Sequence, residues 1–208
     1  MCGIYLAKTV KEFSAIAENN KWRGHDTNSI TIIYNDDVID TKRFIGEFKE
    51  EYFNKFESVD NIKYVVGHTQ SATTKDSTAH PIGDQSGNFL LWHNGVLKSS
   101  CIKQLQTVLN MSTSFDTELL VNSIARCGIN SLNKIDGGFA CILHDKRENM
   151  IYAFRNTQCP LFYNEVTHAL SSVKSKEFSQ FKHDEIVDIK TFNVIQTFKT
   201  KNNPFFII

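Results

Sequence analysis

Cys2 carries a thiol and, once Met1 is removed, a primary amine on the same residue. An α-amino group titrates near 7.7–8.0 and a free thiol near 8.5. The amine can take the thiol proton as sulfur attacks a carbonyl, then return it to the leaving group. Gly3 beside it lets a substrate approach the backbone closely. Splitting an amide this way needs two hydrogen donors aimed at the developing oxyanion. His93-Asn94-Gly95 offers a side-chain amide and a backbone N–H, although Asn-Gly is equally a hairpin-turn signal. In Phe115-Asp116-Thr117-Glu118, Asp116 is either a partner for a substrate ammonium or a helix cap.

Two further runs are rich in polar groups: Arg23-Gly24-His25-Asp26-Thr27 and Gly67-His68-Thr69-Gln70-Ser71-Ala72-Thr73. The histidines at 25, 68, 80 and 93 match no zinc spacing, so they read as hydrogen-bonding or structural groups, and no metal or cofactor is expected. His144, His168 and His183 read as peripheral. The five cysteines are widely spaced and lack a Cys-x-x-Cys pair, which suits free thiols in a reducing compartment.

The elements that must position these groups follow from periodicity. A short strand covers 3–7, and 9–20 places Val10, Phe13, Ile16 and Ala17 on one helical face. Residues 29–34 and 38–44 read as a hairpin about the turn 35–37. Phe48, Tyr52, Phe53 and Phe56 read as a helical stripe that packs into a core. Strands are expected at 63–68 and 88–92, with His93-Asn94-Gly95 just after the second. Helices are expected at 101–109 and 116–126. Strands follow at 139–143, 151–154, 169–173, 185–189 and 192–198. This strand-rich order lacks a βαβ rhythm, which points to layered α and β structure rather than a Rossmann fold.

The chain has 208 residues, 41% hydrophobic, with 23 basic and 23 acidic side chains. That balance offers no field for nucleic acid or an anionic membrane. No stretch approaches the roughly 20 apolar residues of a bilayer span, and the N-terminus lacks signal-peptide character. A cytoplasmic protein forming one domain over 1–208 is expected, with 199–208 as a tail. The apolar end 204–208 is either tucked against the domain or a docking patch.

In order and approximate spacing, six motifs resemble the class II glutamine amidotransferases. They are Met1-Cys2-Gly3-Ile4, Arg23-Gly24-His25-Asp26-Thr27, Gly67-His68-Thr69, Ala79-His80-Pro81, His93-Asn94-Gly95-Val96-Leu97 and Asp116-Thr117-Glu118. The first half is similar to the glutaminase domain of glucosamine-6-phosphate synthase. The later runs Asp136-Gly137-Gly138-Phe139-Ala140 and Cys159-Pro160-Leu161-Phe162-Tyr163, with Arg155, are more like asparagine synthetase. The resemblance implies an α+β fold, a four-layer αββα sandwich of the N-terminal-nucleophile hydrolase type with mostly antiparallel sheets.

By the same resemblance Cys2 is nucleophile and base, and Asn94 and Gly95 form the oxyanion hole. Asp116 binds the α-amino group of L-glutamine, Thr73 contacts the substrate, and Arg23 fixes the N-terminal segment. Ammonia is then supplied to a separate synthase. One position departs from the pattern: Gln70 stands where the family has an arginine that clamps the substrate carboxylate. A neutral amide cannot make that charge-assisted pair. Three outcomes stay open. Lys75 replaces the missing cation; the substrate is another amide; or the domain is a non-catalytic binding module.

Overall fold

The structure is a computed structural model describing residues 2–72 and 78–200. The roles expected of Thr73 and Lys75, and the tail 204–208, lie outside the described residues. The elements in chain order are β1 (Gly3–Ala7), α1 (Val10–Asn20), β2 (Thr27–Tyr34), β3 (Ile39–Ile45), β4 (Ile62–Gln70), β5 (Ile82–Gly83) and β6 (Phe89–Leu97). Then come α2 (Ser99–Leu109), α3 (Asp116–Cys127), β7 (Gly137–Asp145) and β8 (Met150–Arg155). Last are β9 (Phe162–Tyr163), β10 (Leu170–Ser171), β11 (Ser179–Gln180), β12 (Glu185–Asp188) and β13 (Val194–Thr197). Among the described residues no helix is long and apolar enough to cross a membrane.

These elements fall into two compact units. The first holds residues 2–72, 79–81 and 161–181, built on a seven-stranded sheet in the order β11-β9-β10-β1-β4-β2-β3. Its pairings are antiparallel. Thr9 starts α1 by accepting the Glu12 N–H on its side chain, as an N-cap should. Phe13, Ile16 and Ala17 then face the sheet and pack with Tyr5, Ile30, Ile32 and Val65. Phe48, Phe53 and Phe56 join that core. The expected helical stripe is a 3-10 turn over Glu50–Lys55 instead. Its aromatics are held by ring packing, Phe13 meeting Phe48 and Phe53 edge-on, so core burial rather than helical periodicity sets their spacing.

The second unit holds residue 78, 82–160 and 182–200, with a six-stranded antiparallel sheet in the order β13-β12-β8-β7-β6-β5. Leu105 and Leu109 of α2 and Leu119, Leu120 and Ile124 of α3 cover it, packing with Leu91, Phe139 and Leu143. Two expectations fail here. His144 is buried, at 2% exposure, because β7 is covered along its whole length. And β6 does not stop at Trp92. It runs on to Leu97, pairing Asn94 with Ala140 and Gly95 with Phe139. The nine-residue partner strand overrides the local turn preference of Asn-Gly.

Candidate active site

In the first unit the chain start is held from several sides. The Cys2 carbonyl accepts from Arg23 Nε at 2.7 Å. Its Sγ lies 3.6 Å from the Ser71 carbonyl oxygen, beyond the end of β4. Arg23 ends the 3-10 turn Lys21–Arg23 that follows α1, and it is buried at 6% exposure. Burying a guanidinium is costly unless its N–H groups find acceptors, and the Cys2 carbonyl is one.

The rest of that motif grips the end of β4. A Cβ on Gly24 would overlap the Gln70 main chain, so only glycine allows this approach. The Asp26 N–H donates to the Gln70 carbonyl at 3.1 Å, and Asp26 Oδ2 accepts the Ala72 N–H at 2.7 Å. Thr27 Oγ1 donates to Gln70 Oε1 at 2.6 Å. Gln70 is therefore a buried side chain tied to β2. His25 points outward to Glu47 at 2.8 Å.

The second unit carries the residues expected to act as donors. Asn94 is buried, and its Nδ2 has no hydrogen-bond partner among the described residues. A buried amide N–H without an acceptor costs about 1–3 kcal/mol. Gly95 follows with φ +149°, a backbone conformation that side-chain-bearing residues rarely adopt. A Cβ there would overlap the carbonyl of Gly138 on β7.

Asp116 is not the helix cap. Phe115 occupies that position and makes no side-chain cap bond. Asp116 Oδ2 instead accepts the Leu97 N–H at 3.1 Å, which ties the start of α3 to the end of β6. His93 Nδ1 lies 3.0 Å from Thr117 Oγ1 and 4.0 Å from Asp116 Oδ1. Burial lowers the His93 pKa, while Asp116 and the Gly138 carbonyl pull the other way.

Asn156 shows no spacing signal in the sequence, yet it is buried and organises the same edge. Its Nδ2 donates to the Gly137 carbonyl at 2.7 Å and its Oδ1 accepts the Phe139 N–H at 3.2 Å. The Cys141 thiol is pushed well up by burial, the mark of an inert core residue. Among the described residues no three His, Cys, Asp or Glu side chains gather to hold a metal ion.

A family model described as a glutamine amidotransferase domain matches residues 68–178. That is just over half of the chain, and the protein belongs to this family. Two curated relatives are glutamine–fructose-6-phosphate aminotransferases (isomerizing). The one from Streptococcus agalactiae serotype V is 27% identical over 202 residues, covering 85% of this chain and 33% of that protein. The one from Geobacillus kaustophilus is 28% identical over 240 residues, covering 99% and 39%. The chain thus spans a third to two fifths of the relatives' length.

Among solved structures, the glutamine phosphoribosylpyrophosphate amidotransferase from B. subtilis superposes with a TM-score of 0.69 at 19% identity. The match covers 90% of this chain and 47% of that one. The fold is accordingly the α+β fold of the N-terminal-nucleophile amidotransferases.

Proposed function

We propose that this chain is a glutaminase that hydrolyses the side-chain amide of L-glutamine through a Cys2 thioester. The observation that supports this most is the buried Asn94 Nδ2, which lacks an acceptor among the described residues. It sits beside a glycine whose backbone conformation other residues rarely adopt. A donor kept unpaired at such cost suits an oxyanion that exists only during the reaction.

Removal of Met1 frees the Cys2 amine. That amine takes the thiol proton as Sγ bonds to the amide carbon, and the carbonyl oxygen becomes an oxyanion met by Asn94 Nδ2 and the Gly95 N–H. Collapse expels ammonia, which carries off the proton, and leaves a thioester. Water then attacks the thioester, giving glutamate and the free thiol. Arg23 fixes the Cys2 carbonyl, and Asp116 takes the substrate ammonium. Thr73 contacts the glutamine, and Lys75 supplies to its carboxylate the cation that Gln70 lacks.

Both units form one amidotransferase domain over 1–208, a reading supported by a family match that passes from one unit into the other. The curated relatives are named for transfer from glutamine to fructose 6-phosphate; the glutamine half of such a transfer is the part assigned here. The ammonia feeds a synthase. A reducing cytoplasm suits five widely spaced cysteines that lack a Cys-x-x-Cys pair.

Intact mass and ammonia release from glutamine test this reading. Loss of Met1, turnover, and its abolition in Cys2→Ala are expected. One observation favours a second reading: the buried Gln70 side chain offers no cation. Labelling of Cys2 by 6-diazo-5-oxo-L-norleucine without glutamine turnover would point to a different amide. A retained Met1 would point to a non-catalytic binding module.

A further inference from the structure

Three antiparallel pairings in the first unit put four side chains in one row. Ile4 of β1 faces His68 of β4, His68 faces Ser29 of β2, and Ser29 faces Arg43 of β3. Directly paired residues point to the same side of a sheet, so these four share a face. The segment 79–81 meets that face at two places. Arg43 Nε donates to the Ala79 carbonyl at 3.0 Å, and Arg43 Nη2 donates to the Pro81 carbonyl at 3.0 Å. His80, held between those two carbonyls, brings its Nδ1 to 3.2 Å from His68 Nδ1, with ring centroids 3.8 Å apart.

Nε and Nη2 form one edge of a guanidinium, so a single rigid fork spans both carbonyls. No other type of side chain offers two N–H donors at that fixed separation. Ala79 and His80 are buried, whereas Arg43 on the edge strand is exposed.

The row leads toward the nucleophile. Two residues beyond His68 on β4 is Gln70, whose pairing with Thr27 puts it on the same face. Immediately beyond lies Ser71, whose carbonyl is the neighbour of Cys2 Sγ. We infer that Arg43 is a positioning residue for the Cys2 reaction. Its fork sets His80 against His68 and so fixes the stretch of β4 on which the chain start rests. This inference rests on the glutaminase reading. Arg43 bonds to the Ala79 and Pro81 carbonyls and acts through 79–81 and β4.

Two probes of Cys2 separate the ideas. Iodoacetamide needs only an accessible thiol, whereas 6-diazo-5-oxo-L-norleucine needs an organised glutamine site. In Arg43→Ala the analogue should label Cys2 about 10- to 100-fold more slowly, with iodoacetamide labelling and melting temperature near wild type. Arg43→Lys keeps the charge but not the fork, and should be slowed as well. Arg43→Ala labelled by the analogue at the wild-type rate overturns the inference while leaving the glutaminase reading intact. A parallel fall with both reagents also overturns it, since that is general loss of structure. Wild-type protein that takes iodoacetamide and refuses the analogue sinks the glutaminase reading, and the role of Arg43 with it.

Discussion

His93 Nδ1 lies 3.0 Å from the hydroxyl of Thr117, so a buried imidazole on β6 is joined directly to the first turn of α3. Burial holds its pKa below the ordinary 6.5. As pH falls through about 6.5, the unfolded chain takes up a proton that the folded protein still refuses. The unfolded state then binds more protons, so stability rises with pH in that window. The His93 contribution is complete above about 6.5 and is lost as pH drops below it. His93→Gln should flatten the slope of urea midpoints between about pH 5 and 7. A slope parallel to wild type would assign the acid sensitivity to other groups.

Asn94→Ala should separate activity from stability. Removing an oxyanion donor costs about 100- to 1,000-fold in kcat. The same change deletes a buried N–H that has no partner among the described residues, so unfolding free energy should drop by no more than about 1 kcal/mol. Glutaminase assays and urea titrations on one preparation decide this. A fall of several kcal/mol would make Asn94 a structural residue.

Two glycines with positive φ differ in what surrounds them. Gly87, at φ +73°, has open space about its Cβ position, whereas Gly95, at φ +149°, faces the Gly138 carbonyl. Gly87→Ala should cost about 1–2 kcal/mol from backbone strain alone. Gly95→Ala adds a main-chain clash and should cost about 3 kcal/mol or more. Equal losses in denaturant titrations would mean that the β6–β7 ladder yields to the methyl group.

What was legible in the sequence had its cause nearby. α1 and α3 were visible because their apolar residues recur at three and four, and the β7–β8 pair because 139–143 and 151–154 are unbroken apolar runs. Features fixed by distant partners were not. Asn94 and Gly95 read as a turn until β7 is known to pair with them. The two-residue strands β5, β9 and β11 exist only through their neighbours. His144 read as peripheral because one histidine in an apolar run does not reveal whether both faces are covered.

For the candidate site, the residue types were legible and the bonds that hold them were not. Cys2 stands out by type and place, whereas Asp116 reads equally as a helix cap. Nothing local shows that Arg23 takes the Cys2 carbonyl, that Asn156 joins Gly137 to Phe139, or that Arg43 forks onto 79–81. A lone polar residue has no periodicity to read.

At Gly24 and at Gly95 the nearest obstacle to any larger residue is another segment's main chain, the backbone of Gln70 in one case and the Gly138 carbonyl in the other. Every amino acid carries those atoms. No exchange of side chain at 70 or 138 can open room. A residue with a Cβ at either place must push that main chain aside.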